Sequence, residues 1–224
     1  MYELSVYGHL TIDRIFEGFD EHRTLGAIGN FWEACLLTNP SIFINLQPTS
    51  IGEAIISVDK ESCTRQGRGV LNLKTRTVKN VLPSKWNHIM YLNQMKNCDF
   101  INQLDGSIIS ADLTSGPMLN LQFLKNLDYL FISDEDIFMS LDELALLVKG
   151  WVILHSPHGS ICHNGTESFE TKTKIIENLN VLGAGDFFAA SFISEMLRNN
   201  SEMKESVDFA HKNTTKILLR RNNE

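Results

Sequence analysis

Basic charge is scarce in this sequence: 20 lysines and arginines stand against 27 aspartates and glutamates, a formal charge of −7. Such a balance repels polyanions, which excludes a nucleic-acid binder and means that any phosphate must be met locally. Long hydrophobic runs are missing as well. The longest uncharged stretch, Ala34 to Gly52, is interrupted by Asn39, Pro40, Asn45, Gln47 and Pro48 and does not suit a bilayer span, so no membrane partner is expected. Cysteine is sparse. Cys35, Cys63, Cys98 and Cys162 lie far apart with no C-x-x-C pair, which fits reduced thiols better than a disulfide framework. The opening MYELSVYGHL carries Glu3 and lacks the basic-then-apolar layout of a secretory leader, and these readings together point to the cytoplasm. There is no internal repeat and no low-complexity segment.

What is present can build a core: 224 residues, 43% hydrophobic and 21% charged, enough for a single domain over 1–224. Short apolar runs alternate with segments of helical period, which predicts a layered α/β domain with a mostly parallel sheet. Leu4–Tyr7 reads as a first strand and Ile28–Thr38 as a helix closed by Pro40. Further strands are predicted at Ile42–Asn45, Ile89–Leu92, Phe100–Gln103, Ile108–Asp112, Tyr129–Ser133 and Val152–His155, with helices near Met118–Asn126 and Leu141–Lys149. Apolar residues at helical spacing predict two closing helices, Ala184–Arg198 and Glu202–Leu219.

One stretch departs from this rhythm. Ala54–Asp59 and Leu71–Val78 read as a hairpin around a bend at Gly67-Arg68-Gly69, a small β lid at about 50–80. Lys60, Arg65, Arg68, Lys74, Arg76 and Lys79 face Glu61 alone, either a solvated edge kept unsticky by charge or a flap over an anionic ligand. A twin subunit could cover the apolar surface a small lid leaves, giving a homodimer through this hairpin.

Chemistry concentrates at Asn180-Val-Leu-Gly-Ala-Gly-Asp186, just before a helix. Gly183 and Gly185 leave successive backbone N–H groups of Gly183, Ala184 and Gly185 open to converge on an anion, with the helix dipole adding its positive end. Asp186, with a reference pKa of about 3.9, can accept a proton from a hydroxyl that attacks phosphorus. The same four residues also describe a tight turn with an Asp helix cap. A second cluster, His155, His158, Cys162 and His163, offers nitrogen and sulfur ligands. Structural zinc sites draw their ligands as two separated pairs, so turn histidines and a buried thiol are the plainer reading.

The stretch from Gly183 to Met196 resembles the carboxy-terminal signature of the ribokinase-like (phosphofructokinase-B) carbohydrate kinases, and other segments follow in that family's order. Tyr7-Gly8-His9-Leu10-Thr11-Ile12-Asp13 resembles its first strand with a substrate-binding aspartate, and Gly26-Ala27-Ile28-Gly29-Asn30 its glycine-rich second segment. The resemblance implies a ribokinase-like α/β/α domain and an ATP-dependent, Mg2+-dependent kinase acting on a sugar or sugar-like hydroxyl. Asp186 would be its general base, the Gly183–Gly185 amides its anion hole, and Asp13, Gly26 and Asn30 its acceptor ligands. Leu127 to Asp136 resembles the strand end bearing N-x-x-E; here Ser133 and Asp136 hold those positions, and Asp136 is implied to organise magnesium through water. By position, Ser156, His158, Gly159, His211 and Asn213 are implied to contact the nucleotide.

Departures accompany the likeness. The chain is shorter than usual members between Asn30 and Ser50 and between Asp13 and Gly26. Asn180-Val181-Leu182 replaces a D-T-x associated with a monovalent-cation site, so potassium activation of the usual kind is not expected. His155-Ser156-Pro157 stands where a T-x-G turn is usual. Two alternatives stay open: a non-catalytic ligand-binding or regulatory protein on the same fold, and a nucleoside kinase.

Overall fold

The computed structural model describes residues 1–59, 65–78, 80–176 and 179–223. In chain order they form β1 (Tyr2–Glu17), β2 (Asp20–Ala27), α1 (Ile28–Thr38), β3 (Ile44–Val58), β4 (Arg65–Thr75), β5 (Ser84–Ile89), β6 (Ile108–Leu113), β7 (Tyr129–Ser133), α2 (Leu141–Leu147), β8 (Trp151–Ser156), β9 (Gly159–His163), β10 (Ser168–Lys172), α3 (Ala184–Asn199) and α4 (Met203–Arg221). Short 3-10 turns occupy Leu92–Gln94, Asp99–Gln103 and Leu121–Asn126. Two compact units result. The first holds Met1–Gly8, Ile42–Thr49 and Thr77–Lys174; the second holds His9–Ser41, Ser50–Arg76 and Ile175–Glu224.

In the first unit β1, β5, β6, β7 and β8 pair in parallel, through registers such as Val6 with His88, Trp86 with Ile108, Ala111 with Leu130 and Leu130 with Val152. Their apolar runs suit strands covered on both faces. β9 and β10 extend the sheet antiparallel from β8. Tyr7, Ile89, Ala111, Leu130, Ile132 and Val152 form its core with Phe100, Ile101 and Leu124 from the 3-10 turns. The strand predicted at Phe100–Gln103 is therefore a correction: that run is a 3-10 turn closed by Ile101 N–H to the Cys98 carbonyl, and Phe100 packs its ring 4.7 Å from that of Tyr7. A short apolar run reads the same whether it joins a sheet or lies on it. The helix expected at Met118–Asn126 shrinks to its second half for the same reason, and the run at Ile89–Leu92 ends β5 instead of starting a strand. α2 begins where a capping box sets it, Ser140 accepting from the Glu143 amide and Glu143 accepting from the Ser140 amide.

Inside this sheet runs a directed chain of polar groups that the sequence reading did not single out. The Trp86 indole donates to Ser110 Oγ at 2.8 Å, and that hydroxyl bonds His88 Nδ1 at 2.9 Å. His88 then carries its proton on Nε2, which donates to Asp112 Oδ2 at 3.1 Å.

The second unit is built on hairpins and three helices. β1 pairs antiparallel with β2 from Leu10–Ala27 to Glu17–Asp20, closing through Gly18 at φ 67°. The segment between Asp13 and Gly26, expected to have lost lid material, thus forms a complete hairpin. On its exposed side Arg14 and Arg23 bond Glu21 and hold that carboxyl down to about 2. β3 pairs with β4 in a register that sets Ser57 against Gly67 and Ile55 against Gly69. The bend predicted at Gly67-Arg68-Gly69 is accordingly part of a strand, another correction. Lys74 and Arg76 of the basic patch are exposed, whereas Lys60, Glu61 and Lys79 and the side chains of Arg65 and Arg68 lie outside the described residues. α1, α3 and α4 pack together, with Asn213 of α4 donating to Thr38 of α1 and Ser191 of α3 at 2.7 and 2.9 Å.

Among the described residues no helix is long and apolar enough to cross a membrane. Cys35, Cys98 and Cys162 are free and buried, and burial pushes each thiol up to about 12, while Cys63 lies outside the described residues. Ser110→Ala removes the hydroxyl that bonds both the Trp86 N–H and His88 Nδ1. It should cost about 1–3 kcal/mol in urea unfolding, whereas a loss within measurement error would show that the chain has no energetic role.

Candidate functional site

Within the second unit the polar face of β1 alternates His9, Thr11 and Asp13, all buried, and His9 Nδ1 pairs with Ser50 Oγ across to β3. Asp13 is only 4% exposed, and Thr11 Oγ donates to its Oδ1 at 2.6 Å. Gly26, the cross-strand partner of Thr11, explains itself: a Cβ there would fall 2.1 Å from Asp13 Oδ1. The next residue, Ala27, carries a positive φ of 49° as β2 turns directly into α1. Strain of this kind in a non-glycine residue persists only where surrounding structure enforces it. Two residues into α1 stands buried Asn30.

The G-A-G-D segment starts α3, as the sequence predicts. Gly183 is the residue before the helix, at φ 83°, and a Cβ there would press within 2.9 Å of Asn30 Nδ2. No side chain caps the helix, so the reading of Asp186 as a helix cap is not what the structure adopts. Asp186 is 5% exposed and its Oδ2 accepts from Asn30 Nδ2 at 2.9 Å. Of the helix's first amides, Ala184 N–H is committed to the Val181 carbonyl at 3.0 Å, and Phe187 N–H opens the helical ladder on the Gly183 carbonyl. The first turn of an α-helix directs backbone N–H groups outward, an arrangement that binds anions. Two sets of contacts between residues distant in sequence result, Asp13 against Gly26 and Asn30 against Gly183 and Asp186, joined by the segment from Gly26 to Asn30. Arg221 and Glu33 adjoin it, with Arg221 Nη2 donating to Asn30 Oδ1 at 3.1 Å and Arg221 bonding Glu33. Neither stood out in the sequence, where they read as ordinary charged helix residues.

The other predicted residues fall elsewhere. His211 lies with its ring 4.8 Å from that of Phe188 and Asn213 gives its amide to helix packing, so both serve the α1–α3–α4 assembly. In the first unit Ser156, His158 and Gly159 form the β8–β9 turn. Ser156 Oγ donates to the Gly159 carbonyl and accepts from His158 N–H, and Gly159 is required because a Cβ would meet the Thr171 carbonyl at 2.0 Å. Asp136 is half-buried in the turn after β7, its N–H bonded to the Ser133 carbonyl. Burial pulls the His155 imidazole below its ordinary 6.5, opposed by the charges of Asp112, Asp134 and Asp136. These groups gather where β6, β7 and β8 end, the edge at which open parallel sheets bind ligands. No group of three or more His, Cys, Asp or Glu converges on a metal among the described residues; His163 instead bonds Asp142 and the Glu167 carbonyl.

Two predictions test these placements. Gly26→Ala must displace the Asp13 carboxylate and should cost about 1–3 kcal/mol by urea unfolding; an unchanged midpoint would mean the carboxylate is not there. His155, with its folded pKa depressed, is bound by more protons in the unfolded chain than in the folded one once the pH drops past 6.5. Its contribution is fully present above that pH and is lost as the pH falls. Melting curves in metal-free buffer should show a decline toward acid that His155→Gln flattens; parallel declines would discard this assignment.

The fold has solved counterparts. Adenosine kinase from Sinorhizobium meliloti superposes with a TM-score of 0.75 over 97% of this chain and 94% of that one, at 14% identity. A probable sugar kinase from Rhizobium etli gives 0.76 over 97% and 93% at 12% identity, and ribokinase from Thermotoga maritima 0.74 over 94% and 91% at 14%. No protein-family model matches the sequence, and no curated protein matches it significantly. At such identities the likeness is one of fold: a mixed α/β domain with a mostly parallel sheet.

Proposed function

We propose that this chain, built on the ribokinase-like fold, is a small-molecule kinase that moves the γ-phosphoryl group of ATP to a hydroxyl of a sugar or nucleoside. One observation carries this reading: two buried carboxylates from opposite ends of the sequence, Asp13 and Asp186, are met by a single short segment, Gly26 to Asn30. Asp13, with neutral Thr11 beside it, is suited to accept hydrogen bonds from a polyol. Asp186, at the mouth of α3, is suited to take the hydroxyl proton as the oxygen attacks phosphorus. The first-turn amides of α3 and the helix dipole would stabilise charge on the moving phosphoryl group. Positioning and electrostatics supply most of the catalysis in such transfers, so no covalent nucleophile is needed.

Magnesium would be held through water by Asp136, whose oxygen donor suits this ion. When bound, Mg2+ neutralises charge on the donor phosphates. The Ser156–Gly159 turn is the proposed nucleotide contact. The solved counterparts include an adenosine kinase and a ribokinase, which supports testing both nucleosides and sugars as acceptors.

Phosphoryl transfer from Mg-ATP is to be assayed against a panel of sugars and nucleosides with the parent protein and Asp186→Asn. The variant should keep its melting temperature and its calorimetric affinity for Mg-ATP while kcat falls about 10²–10⁴-fold. Equal turnover would remove Asp186 from its role, and a parent that binds Mg-ATP yet phosphorylates nothing would leave a binding protein.

A further inference from the structure

The carboxylate assigned as base is supported from an unexpected place, the last turn of α4. Asn30 gives a side-chain N–H to Asp186 Oδ2 at 2.9 Å and receives Arg221 Nη2 on its Oδ1 at 3.1 Å. The direction of both bonds is forced. A guanidinium only donates and an ionised carboxylate only accepts, so the amide can stand one way round only, oxygen toward Arg221 and nitrogen toward Asp186.

Arg221 is fixed in turn. Glu33, one turn along α1 from Asn30, bonds its Nε at 3.4 Å and also its Nη2, and its guanidinium carbon sits 4.5 Å from the centroid of the Phe187 ring. Gly183 completes the fit by leaving no side chain against Asn30 or Phe187. The next residue of the same helix end, Asn222, accepts the Asn180 N–H at 3.0 Å and donates to the Asn180 carbonyl at 3.2 Å, bracing the loop that leads into Gly183. Stability alone does not account for this arrangement. The side chains of Arg221 and Glu33 are 22% and 42% exposed, and ion pairs so open to water contribute at most about 1 kcal/mol. What Arg221 does supply is orientation, because without its donor the Asn30 amide can turn its oxygen toward Asp186, and two acceptors then repel.

We propose that Arg221 is a positioning residue that, through Asn30, holds the Asp186 carboxylate in the pose for proton removal. The inference rests on the reading of Asp186 as the base. Two readouts separate its failure from the failure of that reading. In ¹H–¹⁵N spectra, with Asn30→Ala marking the signal, the Asn30 side-chain amide should be distinct and slowly exchanging in the parent. In Arg221→Gln it should move to the averaged position of a free amide while backbone signals of α1 and α3 stay. In the transfer assay Arg221→Gln should lose about 10–100-fold in kcat with the acceptor KM within about twofold, Arg221→Lys should recover part, and added guanidinium should partly rescue Arg221→Ala. An unchanged Asn30 signal overturns the proposal whether or not the parent transfers phosphate, and so does parent kcat in Arg221→Gln. An inactive parent sinks the kinase reading alone, leaving the spectrum to decide on Arg221. If Arg221→Gln fails to fold, Glu33→Gln, which frees the guanidinium from its anchor, is read by the same two criteria.

Discussion

The bond from Asn30 to Asp186 is the contact on which the rest of the second unit turns. β2 ends at the foot of α1 without a loop, and Ala27 takes its positive φ at that junction. Gly26 must lack a side chain to admit the Asp13 carboxylate, and Gly183 must lack one to admit the Asn30 amide. The two glycines thus answer to two buried carboxylate sites, Gly26 to Asp13 directly and Gly183 to Asp186 through Asn30. Backbone compromises of this kind persist where the packing around them leaves no alternative.

Each buried carboxylate accepts from a neutral donor, Thr11 for Asp13 and Asn30 for Asp186. A hydroxyl or amide satisfies a buried carboxylate without cancelling its charge, whereas a guanidinium in direct contact would favour the ionised form strongly and weaken it as a proton acceptor. Arg221 reaches this amide from the far side, its Nη2 donating to Asn30 Oδ1 at 3.1 Å.

The first unit uses different means. Its parallel strands bring Asp112, Asp136 and His155 to their carboxyl ends, and the Trp86–Ser110–His88–Asp112 succession gives one of these carboxylates a fixed orientation from inside the sheet. An indole can only donate and a carboxylate only accepts, so Trp86 donates at one end and His88 Nε2 donates to Asp112 at the other. The outermost strands, β9 and β10, present a turn whose glycine is demanded by the approach of the Thr171 carbonyl, a steric reason that holds with or without a ligand.

Sequence alone determined the periodic elements and the glycine-rich helix start: α1 over Ile28–Thr38, β7 over Tyr129–Ser133, and α3 opening on Gly-Ala-Gly-Asp all carry their pattern in neighbouring residues. β2 escaped because Asp20 to Thr24 are polar and bury little, and β9 and β10 because their short runs mix polar and apolar residues. The turn at Phe100 was misread because its side chains lie on a sheet and do not join it. Tertiary structure alone decided that Asn30, Asp186 and Arg221 would meet. Their contact is made by the packing of three helices, and no local periodicity records which polar side chains that packing will bring face to face.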